Sequence, residues 1–289
     1  MKYDSQTRQL STRALTHRLL VALIMMSLAS SWIVSAHAAN DASTVLITGS
    51  SKGHGLAFVN DYAEQGWTVI ATCRNPSEAE RLQALAAKYE NIIVEKLDVT
   101  DFDEVDTLVE KYHDKPIDVL NLNGAINTFR FGPNKFGDMD YKWFNEIMNV
   151  NVIGQLYVAE AFLEQVARSE QKKIAVMSAV GGSIGRVRSP IAPSYRASKA
   201  GLNMLMRTFG EAVKPRGIAV LIIAPGTVDT ENYLNAEDPE SIPANYQRII
   251  AAGGLAPRSA IGSMIELIGR LTIDDIGVFH KWDSTVLPW

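Results

Sequence analysis

Residues 44–55 read TVLITGSSKGHG. A short, β-branched apolar run ends in a corner with glycines at positions 49, 53 and 55. The following FVNDYAEQG reads as a helix closed by Gly66. The same alternation continues outward. WTVIATCR is a second strand, SEAERLQALAAKYE an amphipathic helix and NIIVEKLDV a third strand, with a helix over Phe102 to Tyr112. IDVLNLNGA is a fourth strand, and a long helix is predicted from Tyr141 to Arg168. KKIAVMSAV is a fifth strand, Ser194–Val213 a helix and IAVLIIAPG a sixth strand. Strands that alternate with helices imply parallel pairing with right-handed crossovers. The predicted fold is therefore α/β: a doubly wound parallel sheet, the Rossmann fold, as a single domain over residues 39–289. Ligands of such sheets bind beyond the carboxyl ends of the strands, so function is to be sought at the six predicted strand ends.

Composition narrows the choice. The chain has 289 residues, 47% hydrophobic and 21% charged, enough for one large, well-buried core. Its formal net charge is -4 and no basic stripe runs along it, which argues against a nucleic-acid partner. The one cysteine, Cys73, excludes an internal disulfide and a cysteine-rich metal site. HExxH, EF-hand and paired-histidine patterns are absent, so no metal is expected.

The first 38 residues differ from the rest. Lys2, Arg8, Arg13 and Arg18 precede the apolar stretch LLVALIMMSLASSWIVSAHA, which ends in the A-x-A form Ala36-His37-Ala38. This reads as a signal peptide cleaved near Ala38, which would place the protein in the periplasm. An uncleaved membrane anchor is the alternative, because Leu19 to Ala36 barely spans a bilayer. A true start at Met25 or Met26 would make the protein cytoplasmic.

The strand ends carry the chemistry. Gly49, Gly53 and Gly55 give G-x-x-x-G-x-G, a corner where a pyrophosphate can approach backbone at a helix N-terminus; an ordinary strand–turn–helix corner is an equal reading. His54 within it is not read as catalytic. The second strand ends at Arg74, where a site for a free ribose 2′-hydroxyl would place an acid. With Lys52 in the glycine loop, this favours a 2′-phosphate, hence NADP(H) over NAD(H). Asp98, before Val99, suits an adenine amino group or a helix N-cap. Gly124 ends the fourth strand and Ser178 the fifth. Asn151 lies mid-helix, and Tyr195 and Lys199 stand four apart on one helix. A phenol titrates near 10 and needs a nearby cation to exchange protons around neutrality.

From Thr44 to its C-terminus the chain resembles the short-chain dehydrogenase/reductase family. The motifs TGSSKGHG, LDV, NLNGA, VNVIG, MSAVGG, YRASK and APGTVDT occur in family order. YRASKAGLN and the tail GVFHKWDSTVLPW are similar to the carbonyl-reductase-like branch that includes sniffer and the C-factor proteins. The resemblance implies an NADP(H)-dependent oxidoreductase that interconverts a carbonyl and an alcohol. Tyr195 would be the general acid in reduction, and Lys199 would lower its pKa and hold the nicotinamide ribose. Ser178 would bond the substrate carbonyl, and Asn151 would hold a water that relays protons to Lys199. The cofactor would contact Gly49, Ser51, Lys52, Gly53, Gly55, Arg74, Asp98, Val99, Asn123, Gly124, Pro225, Gly226, Val228 and Thr230, besides Tyr195 and Lys199. Residues Glu231 to Ala256 would form a substrate lid. Three departures stand out: the family's Asn-Asn-Ala-Gly is Leu122-Asn123-Gly124-Ala125, the Ser178–Tyr195 spacing is longer than usual, and an export signal is odd on a nicotinamide enzyme.

The expected partner is a small-molecule carbonyl or alcohol, and Phe129, Phe131 and Trp143 suggest either an apolar pocket or core. The family implies a homodimer or homotetramer. The alternative function is an exported signalling or nucleotide-binding protein of the same fold with little turnover.

Overall fold

Parallel strands covered on both faces are apolar along their whole length rather than at alternate positions. The computed structural model describes residues 42–127, 134–231, 233–236, 238–251 and 253–289. Its strands are β1 (Thr44–Ile47), β2 (Thr68–Cys73), β3 (Ile92–Lys96), β4 (Val119–Leu122), β5 (Lys173–Met177), β6 (Ala219–Ala224), β7 (Thr227–Val228), β8 (Leu255–Ala256) and β9 (Phe279–Lys281). Strands β4, β5 and β6 are buried from end to end. The main sheet is parallel, with seven strands in the order β3-β2-β1-β4-β5-β6-β9. From β1 the chain builds outward through β2 and β3, then returns to build the other half from β4. The switch point is the crevice between the carboxyl ends of β1 and β4, where doubly wound sheets bind ligands.

The helices are α1 (Gly53–Glu64), α2 (Glu80–Lys88), α3 (Phe102–Lys111), α4 (Tyr141–Met148), α5 (Gly154–Ala161), α6 (Leu163–Arg168), α7 (Pro193–Val213), α8 (Ala244–Ala251) and α9 (Ala260–Arg270). Register puts Leu46 beside Ile70 and Leu120. Those side chains point to one face, against Val105 of α3, Val158 of α5, Phe162 between α5 and α6, and Leu202 of α7. Val45, Ile47 and Val69 point to the other, against Phe58 of α1 and Met264 of α9. Gly66, at φ 80°, turns the chain after α1, as the sequence indicated.

Three features differ from the sequence reading. A seventh strand, β9, completes the sheet; its three residues, Phe279-His280-Lys281, are too few and too mixed to show an apolar run. The helix predicted from Tyr141 to Arg168 is not uniform. A π-helical turn, Asn149–Ile153, separates α4 from α5, and α6 follows. A small parallel pair, Thr227↔Leu255 and Val228↔Ala256, joins the two ends of the segment expected as a lid. The signal peptide expected over residues 1–38, and Phe129 and Phe131, lie outside the described residues. Among the described residues no helix is long and apolar enough to cross a membrane.

Among the polar residues buried in the strands, Asn121 lacks side-chain hydrogen bonds. The side chain of Asn121, in β4, is fully buried, and neither of its polar atoms has a hydrogen-bond partner among the described residues. An unpaired buried amide costs about 1–3 kcal/mol. Asn121→Val is therefore expected to raise unfolding stability by about 1–2 kcal/mol, read from urea midpoints; a lowered midpoint contradicts this.

Candidate active site

The glycine corner and the end of β4 are built against each other. Gly49 sits at φ 71°, and a Cβ there would fall 2.8 Å from the Gly124 Cα. A Cβ on Gly55 would fall 2.1 Å from the Gly49 carbonyl oxygen. Only glycine fits at 55, so α1 can begin directly under the corner. Gly53, at φ 58°, has open space where its Cβ would stand. The Asn123 amide donates to the carbonyls of Thr48 at 3.0 Å and Gly49 at 3.2 Å. The Gly124 N–H donates to the Thr48 hydroxyl at 2.8 Å. The exchanged residues in Leu122-Asn123-Gly124-Ala125 thus still yield a laced wall, with Asn123 as its tie.

Arg74 and Asp98 both line an open cleft of about 810 Å³ with Asn75, Lys96 and Thr100. Arg74 is exposed and makes no ion pair with any described carboxylate. Asp98 is partly committed, since one carboxylate oxygen accepts from the Thr100 N–H at 2.9 Å and hydroxyl at 2.7 Å. The N-cap of α3 is Asp101 instead. The Val99 carbonyl is close to α5: a Cβ on Gly154 would lie 2.6 Å from its oxygen. Ser51 is half-buried and Lys52 exposed at the corner. Pro225 and Gly226 follow β6, and Val228 is buried in β7. The N–H of Thr230 donates to the Val228 carbonyl at 2.9 Å. Glu231, where the expected lid would begin, accepts two bonds from Arg81 of α2, at 3.0 and 3.1 Å.

Helix α7 positions the remaining groups. Pro193 is its first residue, a position that needs no N–H. Ala192 precedes it in the left-handed region at φ 50°. Tyr195, Lys199 and Asn203 then recur every four residues, along one face. The Lys199 ammonium is buried and donates to the Met177 carbonyl at 2.8 Å, beside Ser178 at the end of β5. The Ser178 hydroxyl donates to Asn203 Oδ1. Asn151 sits in the π-helical turn. Its Oδ1 accepts from the Ile126 N–H at 2.8 Å, and its Nδ2 donates to the Ile126 carbonyl at 2.9 Å and Ser198 Oγ at 3.1 Å. Ser198 in turn donates to the Tyr195 carbonyl at 2.8 Å. Asn151 therefore clamps the segment after β4 to α7; a relay water would have only the second lone pair of Oδ1. Ser198 and Asn203 lie within YRASKAGLN, but the sequence reading gave neither a role.

Burial governs the charges. It pushes the Tyr195 phenol up to about 12. It pulls the Lys199 ammonium down to about 7, since the neutral Met177 carbonyl to which it donates does not offset the lost solvation. The sequence reading expected the lysine to make the phenol more acidic; burial acts in the opposite direction. His54 sits in the first turn of α1, and burial, then the positive Lys199, hold it down at about 4. Trp143 lies in the first turn of α4, its backbone N–H donating to Asp140 Oδ1 at 3.0 Å. The segment between Ser178 and Tyr195 exposes Ile184, Val187 and Ile191. It is held by the C-terminus: the Gly185 N–H donates to the Trp289 carbonyl at 2.8 Å.

Residues 43–241 match the model of the short chain dehydrogenases, and the chain belongs to that family of oxidoreductases. Among relatives, an uncharacterized oxidoreductase of Schizosaccharomyces pombe is 30% identical over 251 residues, which is 84% of this chain and 96% of that one. Among solved structures, the NADPH-bound carbonyl reductase from chicken fatty liver is similar, with a TM-score of 0.72 and 28% identity over 86% of this chain and 99% of that one. Carbonyl reductase Sniffer of D. melanogaster shares the fold, with a TM-score of 0.70 and 24% identity over 86% of this chain and 100% of that one.

His54 gives a test of the electrostatics. Unfolded, it titrates near 6.5, and folded near 4. Between those values the unfolded chain holds a proton that the folded one rejects, so stability falls as pH drops through the window. His54→Leu is expected to lose less stability than wild type between pH 7 and about pH 4.5, measured by urea unfolding. Equal losses contradict the assignment.

Proposed function

We propose that this chain is an NADP(H)-dependent reductase that interconverts a carbonyl and an alcohol, with Tyr195, Lys199, Ser178 and Asn151 as its proton-transfer group. The observation that carries the proposal is the face of α7. It presents a phenol and an ammonium one turn apart, with the ammonium held at the carboxyl end of β5 beside Ser178. Perturbed groups of this kind cluster where chemistry is done.

The residues present fit a phosphorylated nicotinamide dinucleotide. The Gly49–Gly53–Gly55 corner, with Ser51 and Lys52, offers backbone approach for a pyrophosphate at the start of α1. Arg74, without a carboxylate partner among the described residues, suits a 2′-phosphate. Asp98 and Val99 would meet the adenine, Asn123 and Gly124 would wall the ribose, and Pro225, Gly226, Val228 and Thr230 would face the carboxamide. When bound, the cofactor supplies the hydride. The protein's part is the proton. Tyr195, with its phenol pushed up to about 12, is protonated at neutral pH. It gives that proton to the carbonyl oxygen as the carbonyl carbon gains the hydride, and the C=O π pair becomes the new O–H bond. Lys199 returns a proton to the phenolate. Asn151 holds Tyr195 in register through Ser198. The apolar Ile184, Val187 and Ile191 favour an apolar substrate body. In the same reading, the first 38 residues are a cleaved export signal; N-terminal sequencing of the native protein should begin near Ala39, and an intact Met1 contradicts cleavage.

The test is NADPH oxidation with 4-nitrobenzaldehyde. Tyr195→Phe is expected to abolish turnover while NADPH binding, read by fluorescence, is kept; retained turnover contradicts the acid role. Arg74→Asp is expected to move preference from NADPH toward NADH, and an unchanged ratio places the 2′-phosphate elsewhere. With Lys199 near 7, reductive kcat/KM should fall as pH rises above about 7. A rate that climbs from pH 7 to pH 9 contradicts a protonated lysine as the proton source.

A further inference from the structure

The chain that leaves β5 is fastened twice. Asn203 of α7 hydrogen-bonds the Ser178 hydroxyl, and its Nδ2 donates to the Gly182 carbonyl at 3.3 Å. A Cβ on Gly182 would fall 3.0 Å from Asn203 Nδ2 and 3.0 Å from the Lys199 carbonyl carbon and oxygen, so glycine lets this turn close onto α7. The second fastening comes from the residues after β9. The Ser183 hydroxyl donates to the Pro288 carbonyl at 2.5 Å, and the Gly185 N–H donates to the Trp289 carbonyl at 2.8 Å. A carbonyl only accepts, so both bonds have one possible sense. Those residues are themselves held. The Leu287 N–H donates to the Phe279 carbonyl at 2.7 Å, and its side chain is buried in the core. The Trp289 ring stacks on Phe279 with centroids 5.4 Å apart, and the Arg207 guanidinium lies 5.1 Å from the Trp289 centroid. Ile184 stands between the two tied residues, and its side chain is 73% exposed. Single exposed apolar side chains are ordinary, but this one is gripped on either side and kept out of the core. It is also near the chemistry: Gly182 shares Asn203 with Ser178, and two residues of chain reach at most about 7 Å beyond Gly182.

We infer that Leu287, Pro288 and Trp289 form a brace that holds Ile184 at the mouth of the site, as the apolar contact for the part of the substrate beyond its carbonyl. The inference rests on the proposed carbonyl–alcohol chemistry and extends it to substrate selection. Trp289 is a positioning residue that acts only through Ser183 and Gly185. The long connection from Ser178 to Tyr195 gives the brace its purpose. A longer connection has more conformations to lose. The brace removes them in advance, so the substrate need not order the segment as it binds.

The experiment compares NADPH oxidation by the full-length protein with 4-hexyloxybenzaldehyde and 4-methoxybenzaldehyde, which share a reacting ring and differ in the length of an apolar tail. The readout is the ratio of their kcat/KM values. Trp289→Ala is expected to lower the preference for the longer aldehyde about tenfold, with NADPH affinity unchanged. Ile184→Ser should lower it as much. Trp289→Phe, which keeps a ring on Phe279, should restore most of it. In an Ile184→Ser background, Trp289→Ala should add nothing to the ratio, because both changes remove the same contact. Losses that are equal for the two aldehydes, or additive effects in the double variant, overturn the inference while leaving the reductase reading intact. A wild type that turns over neither aldehyde overturns the reductase reading and this inference with it. If Trp289→Ala does not fold, Gly185→Ala gives the same readout, because its Cβ would fall 3.1 Å from the Trp289 carbonyl oxygen.

Discussion

A buried ammonium on a neutral carbonyl is the interaction on which the site depends. Removing an unpaired charge from water costs several kcal/mol. No described carboxylate lies within ion-pair distance of Lys199. Its bond to Met177 is worth less than that cost. The result is a lysine whose proton is loosely held, next to a phenol whose proton is tightly held. The packing around the pair holds the ammonium out of water. β5 is buried along its length, and α7 packs Leu202 and Met206 into the core below the site.

The rest of the fold places ligand-binding backbone opposite that pair. Two strand ends meet at the switch point, and they meet closely because Gly49, Gly55 and Gly124 lack side chains. The π-helical turn contributes from the other face. The extra residue it inserts turns Asn151 inward to the backbone of Ile126 and to Ser198, an irregularity often found at functional sites. Three segments distant in sequence are thereby tied to α7: the stretch after β4, the end of β5 and the turn at Gly182.

Much of this was legible in the sequence, because it depends on local pattern. The six long strands are apolar runs, and the glycine corner and the Tyr195–Lys199 spacing follow directly from residue type. What could not be read depends on contacts between distant segments. β9 has three residues and owes its strand character to pairing with β6. The π turn looks like ordinary helix in VNVIG. Asn203 appears in YRASKAGLN as one more helical residue, and its role exists only because Gly182 and Ser178 arrive there from β5. The phenol's upward shift was also hidden, since proximity of a cation is visible in spacing while desolvation is not.

The most direct measurement is the titration of Lys199 itself, followed by NMR of lysine labelled at Cε and assigned with Lys199→Arg. The account requires one lysine resonance that titrates near pH 7 and disappears in that variant. A Lys199 resonance that titrates near its ordinary 10.5 would mean the ammonium is solvated, and the charge arrangement described here would be wrong.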